Sequence, residues 1–133
     1  MSLLAVRDLR KSYRNREGAW VEIVRIPSFE VGEGEQVAIR GRSGIGKTTF
    51  LNLIAGIVKA DEGSVVLDEV DVCGLSESKR DLHRAQILGY VFQSFNLLGG
   101  YTCLENVELG MSFGGKLDRA YAKELLGKVG LFD

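Results

Sequence analysis

Gly41, Gly44 and Gly46 stand just ahead of Lys47 and Thr48 in the run Gly41-Arg42-Ser43-Gly44-Ile45-Gly46-Lys47-Thr48. A triphosphate crowds several negative charges together, and fixed backbone donors meet it well because they carry no bulky side chain. The glycines let the backbone curl closely and take angles that a Cβ would forbid. Lys47 supplies a mobile point charge for the β- and γ-phosphates, and the Thr48 hydroxyl is placed to ligate Mg2+. A helix from Thr48 onward adds free N-terminal N–H groups and the positive end of its dipole. The chemistry indicated is a grip on the polyphosphate of a purine nucleoside triphosphate with magnesium.

Such a loop needs a strand before it and a buried helix after it. Gln36-Val37-Ala38-Ile39-Arg40 reads as that strand. Phe50, Leu51, Leu53, Ile54, Ile57 and Val58 recur at helical spacing around much of the circumference, which predicts a helix sunk in a core. Ahead of the loop, Leu3 to Tyr13 and Trp20 to Val31 read as an antiparallel pair joined by a polar turn over residues 14–19. Pro27, the only proline, favours an edge or bulge there. Asp61-Glu62-Gly63 makes a turn, and Ser64 to Val70 a strand. Glu77 to Gln86 reads as a charged helix and Ile87 to Phe92 as a short buried strand. Thr102 and Glu105 form a capping box that starts a helix running toward Met111. Leu117 to Val129 reads as a last helix, with Ala120, Leu125, Leu126 and Val129 inward.

The 133 residues are 45% hydrophobic and 26% charged, an ordinary globular composition. Seventeen basic and eighteen acidic residues nearly cancel, so no general pull toward nucleic acid follows. The longest apolar stretch, residues 50–58, is too short to span a bilayer. Cys73 and Cys103 lack metal-site spacing and read as free thiols, and His83, in a charged segment, reads as solvated.

In order and spacing these elements resemble the ATP-binding subunits of ABC transporters. Lys11-Ser12-Tyr13 looks like that family's adenine-stacking segment, and residues 41–49 look like its P-loop. Leu51-Asn52-Leu53-Ile54-Ala55-Gly56 resembles the helix behind the loop, and Asp61-Glu62-Gly63 the turn after it. Val91-Phe92-Gln93-Ser94-Phe95-Asn96-Leu97-Leu98 looks like the glutamine-loop segment, especially in the subgroup serving lipoprotein-release and macrolide-export permeases; Glu105-Asn106-Val107 fits the same subgroup. Glu69 and Gly99-Gly100 depart locally from the family's turns.

The resemblance implies an α/β fold: the RecA-like P-loop NTPase core of an ABC ATPase, with an antiparallel N-terminal region and the start of a helical subdomain. Residues 1–93 would belong to the core and 94–133 to the subdomain. ATP and Mg2+ would be held by Tyr13, Gly41, Arg42, Ser43, Gly44, Ile45, Gly46, Lys47, Thr48, Thr49 and Gln93. Lys47 and Gln93 would act in catalysis, and Thr48 and Gln93 would touch the metal. Gln93 would also sit at the hinge of the subdomain. Phe95, Leu97, Leu98 and Tyr101 would form part of a permease-docking surface or pack the subdomain's own core.

The resemblance implies a homodimer of ATPase subunits beneath a membrane permease, peripheral on the cytoplasmic face of the plasma membrane, with no nucleic-acid partner. The signature loop, the strand ending in the magnesium-binding Asp and catalytic Glu, and the switch His are all expected after Asp133. The chain therefore reads as an N-terminal portion, truncated before its water-activating half and not expected to turn over ATP alone. Two other readings stay open: an ABC-type ATPase without a transporter, and a nucleotide-binding module without turnover.

Overall fold

In the computed structural model residues 2–131 are described; Met1, Phe132 and Asp133 lie outside them. Two long strands, β1 (Ser2–Arg14) and β2 (Trp20–Gly32), pair antiparallel as the alternation predicts. Their connection is closed by Asn15, whose side-chain oxygen accepts from the N–H groups of Glu17 and Ala19. The sheet continues through β3 (Glu62–Leu67) and β4 (Val70–Asp71) in the order β2-β1-β3-β4. Pro27 lies on β2, an edge strand, where its missing N–H breaks no central ladder.

The expected Ser64–Val70 strand is a hairpin instead. Asp68 and Glu69 take φ of 49° and 65° between β3 and β4. Two consecutive left-handed residues are what a tight hairpin turn demands, and residues with a Cβ meet that demand under strain.

Helix α1 (Lys47–Ile54) buries Phe50 and Leu53. The Phe50 ring meets Phe29 of β2 edge-on, with centroids 5.4 Å apart. Around them Leu4, Val6, Leu9, Val24, Val65, Leu67 and Val72 form the core, with Val6, Leu9 and Val65 fully buried. The helix is buried on one side only, since Leu51 is exposed; Ile57, beyond its end, is exposed as well.

Two expected strands are absent. Residues 36–40 form no strand, and Val37 and Ile39 are exposed. Residues 88–92 are likewise irregular, with Val91 almost fully exposed; Ile87 ends the preceding helix, α2 (Glu77–Ile87). A strand exists only by pairing with a neighbour, and no described segment pairs with either stretch.

The described residues divide into two compact units after Asp81. The second holds the end of α2, then α3 (Cys103–Phe113) and α4 (Arg119–Lys128). The capping box forms as expected: Thr102 Oγ1 accepts from the Glu105 N–H, and the Glu105 carboxylate accepts from the Thr102 N–H at 2.7 Å. In α4, Ala122 and Leu126 are buried, whereas Ala120 and, just past the helix end, Val129 face solvent. His83 is half-buried rather than solvated, with Nε2 shielded and without a partner among the described residues.

The strained turn yields a direct test. Glu69→Gly relieves a left-handed residue with a Cβ, at some cost in unfolded-chain entropy, and should stabilise the fold by about 1 kcal/mol. Urea unfolding followed by circular dichroism reads this; a loss of stability would contradict the turn's geometry.

Candidate functional site

The loop at residues 41–46 runs directly into α1, with Gly46 as the residue before the first helical turn. Gly44 and Gly46 take φ of 79° and 104°. Only glycine adopts such angles readily, so these two positions explain the residue type. Space explains it further. A Cβ at Gly46 would stand 2.7 Å from the Ile23 carbonyl oxygen, and one at Gly41 would stand 2.9 Å from Ile45 Cγ2.

No side chain caps the N-terminus of α1. Its first N–H groups have no intrahelical acceptors, so the helix end presents donors and positive potential. The short loop backbone is steadied by the Ile45 N–H donating to the Arg42 carbonyl at 3.3 Å.

Lys47 folds back over the loop. Its ammonium donates to the carbonyls of Gly41 at 2.8 Å and Arg42 at 2.7 Å. An ammonium has three donors, so one remains for an incoming anion. Lys47 thus staples the loop and still offers charge. Thr48 is exposed in the first turn, with Thr49 beside it.

These features fit a phosphate group: uncapped donors, a cradle that side chains would fill, and one cation within it. They also fit Mg2+ supplied with the nucleotide. Among the described residues no group of three His, Cys, Asp or Glu side chains could hold a metal; in this loop the Thr48 hydroxyl is the side-chain oxygen that would meet the ion, beside phosphate and water.

Tyr13 lies near the end of β1, paired with Val21 and 41% exposed. Its ring is therefore available to a ligand. Lys11 Nζ lies 5.4 Å from the ring centroid. Lys11 also bonds Asp61, and that hydrogen bond, ahead of one from the Ser12 N–H, holds the Asp61 carboxyl below the ordinary carboxylate range. Asp61 was legible only as a turn residue, because its partners lie some fifty positions earlier. Ile23, which supports Gly46, carried no signal beyond strand alternation.

The first unit thus brings residues 41–49 together and carries Tyr13. Gln93 belongs to the second unit, exposed in the irregular stretch between α2 and α3. In that unit Phe95, Leu97, Leu98 and Tyr101 are all exposed rather than packed as a core. Leu97, Leu98 and Tyr101 line a groove of about 740 Å³ with Val107 and Phe113 of α3.

Residues 24–133 match the ABC transporter family. Methionine import ATP-binding protein MetN 1 of Rhodococcus jostii is 40% identical over 98% of this chain and 39% of its own length. The lipoprotein-releasing system ATP-binding protein LolD of Myxococcus xanthus is 37% identical over 98% of this chain and 59% of its own. A solved dimeric structure of the ATP-binding cassette MJ0796, in a post-hydrolysis state bound to ADP and Pi, superposes with a TM-score of 0.85. It is 34% identical, over 93% of this chain and 56% of that one. The chain spans about half the length of the relatives it matches, or less.

The lysine's double role predicts a large effect. Lys47→Ala should remove most affinity for inorganic triphosphate and for a fluorescent ATP analogue, because a charge-assisted contact is lost and the loop loses its staple. Unchanged binding of both ligands would exclude residues 41–49 as the phosphate site.

Proposed function

The chain belongs to the ABC transporter family, with the lipoprotein-release and macrolide-export subunits among its relatives, and on that premise we propose that it is the nucleotide-gripping part of a transport ATPase. The observation that carries this reading is the staple of Lys47 across an uncapped helix N-terminus. ATP would lay its phosphates along the N–H groups of residues 41–49, with adenine on Tyr13. Arg42, Ser43, Ile45 and Thr49 would contribute through their position in that backbone run. Magnesium, when bound, would neutralise phosphate charge, held on the protein side by the Thr48 hydroxyl. Gln93 would supply a further polar group to the metal or to the attacking water.

In the whole protein this grip would serve ATP hydrolysis coupled to transport or lipoprotein release. Two such subunits would pair beneath a membrane permease on the cytoplasmic face; the dimeric cassette among the structural relatives supports the pairing. No helix among the described residues is long and apolar enough to cross a membrane; membrane attachment through a permease is part of the proposal. The exposed apolar side chains of Phe95, Leu97, Leu98 and Tyr101 support docking within residues 94–110. Residues 1–93 would form the catalytic-core part and 94–133 the helical part. Relatives named for methionine import and for lipoprotein release match this stretch about equally well, which supports a role in handling nucleotide rather than choosing cargo.

The adenine assignment has its own test. Tyr13→Ala should weaken ATP by about 1–3 kcal/mol, the usual worth of stacking a base on an aromatic ring. Inorganic triphosphate should bind nearly as before. Equal weakening of both ligands in titration calorimetry would assign Tyr13 to the fold instead of the site.

A further inference from the structure

The pairing of β1 with β2 slips by one residue next to Tyr13. Lys11 pairs with Val24 and Ser12 with Glu22, so Ile23 has no partner across the ladder. A bulge of this kind bends its strand and re-aims the side chains beside it. Both sides of this bulge touch the proposed site. On β2, the Ile23 carbonyl underlies Gly46, where a Cβ would stand 2.7 Å from it. On β1, the next residue after Ser12 is Tyr13.

Asp61 closes the bulge from a third segment. Its carboxylate accepts from the Ser12 N–H and from Lys11 Nζ, each at 2.7 Å. Its own N–H donates to the Arg10 carbonyl at 3.0 Å. Three consecutive residues of β1 are thereby held by one aspartate in the turn that follows α1. The Lys11 side chain is only 15% exposed, and its ammonium, pinned by Asp61, lies against the Tyr13 ring at 5.4 Å.

We infer that Asp61 is a positioning residue for adenine: by holding Lys11 and Ser12 it fixes the bulge that sets the Tyr13 ring relative to the phosphate loop. The inference rests on the nucleotide site proposed above and adds to it a residue that touches no part of the ligand. Asp61 acts through Tyr13, so its removal should affect the base and spare the phosphates. An aspartate that merely stabilised the fold would affect both.

The experiment is a double-mutant cycle on the 133-residue chain, with Mg-ATP and inorganic triphosphate titrated in parallel. Asp61→Ala should weaken ATP about five- to tenfold, the lower part of the range for losing a stacked base, and change triphosphate by less than about twofold. In a Tyr13→Ala background the same substitution should cost ATP less than about twofold, since the ring it orients is gone. Asp61→Asn keeps the shape and an acceptor for the Ser12 N–H while releasing Lys11, and should shift ATP in the same direction with an unchanged circular dichroism spectrum. Equal weakening of both ligands overturns the inference. So does an ATP loss that persists in full without Tyr13, or ATP binding unaffected by either Asp61 variant while Tyr13→Ala weakens it. Lys47→Ala serves as the separate control: unchanged binding there overturns the nucleotide site itself.

Discussion

The constraint on which the candidate site depends is the seat of Gly46 on β2. The Ile23 carbonyl oxygen lies 2.7 Å from where the Cβ of any other residue would be, and Ile23 Cγ2 and Val24 Cγ2 stand within 3.4 Å of that Cβ position. Helix α1 therefore starts directly against the hairpin rather than on a separate support. Its burial follows from that start, with Phe50 reaching Phe29 and Leu53 reaching the core. The uncapped donors are aimed by the same packing. A helix end can present free N–H groups only where no side chain has claimed them, and here the residue before the helix is a glycine with none to offer.

What was legible in the sequence is what local chemistry decides. The capping box at Thr102 and Glu105 needs only three residues' separation, and it formed as read. The β1–β2 hairpin needs alternation and a polar turn, and it formed with Pro27 at the edge. The two segments that did not become strands, 36–40 and 88–92, look like strands in composition. Their apolar residues state a preference for a neighbour, however, and the neighbour is a non-local fact. Val37, Ile39 and Val91 are exposed for the same reason. The one-sided burial of α1 and the solvent-facing Ala120 and Val129 at the two ends of α4 are further cases in which periodicity named a face but not what covers it.

The candidate site divides along the same line. Lys47, Thr48 and the three glycines announce themselves because a phosphate cradle is built from consecutive residues, so their spacing in sequence is their spacing in space. Tyr13 enters the candidate site through a family likeness and not through its pattern, since an aromatic on a strand is ordinary core material. Asp61 and Ile23 were unreadable in their structural roles. Each acts through the fold, one by gripping β1 from the far side of α1, the other by presenting a carbonyl to a glycine.

These placements give the first unit an economical logic. An ATP molecule has a flat apolar end and a highly charged end, and a protein must fix the distance between the two grips. On the proposed reading, the phosphate grip would rest on β2 at Ile23 and the aromatic grip would stand on β1 at Tyr13. Adjacent strands keep a nearly constant separation, so the ladder already fixes most of that distance. What it leaves free is the local slip at Lys11 and Ser12, the one irregularity between the two grips. Asp61 places three hydrogen bonds there. Lys47 closes the other end by tying the loop to itself through Gly41 and Arg42. The two charged side chains thus do corresponding work, each holding backbone in place so that little ordering is left for the ligand to bring about.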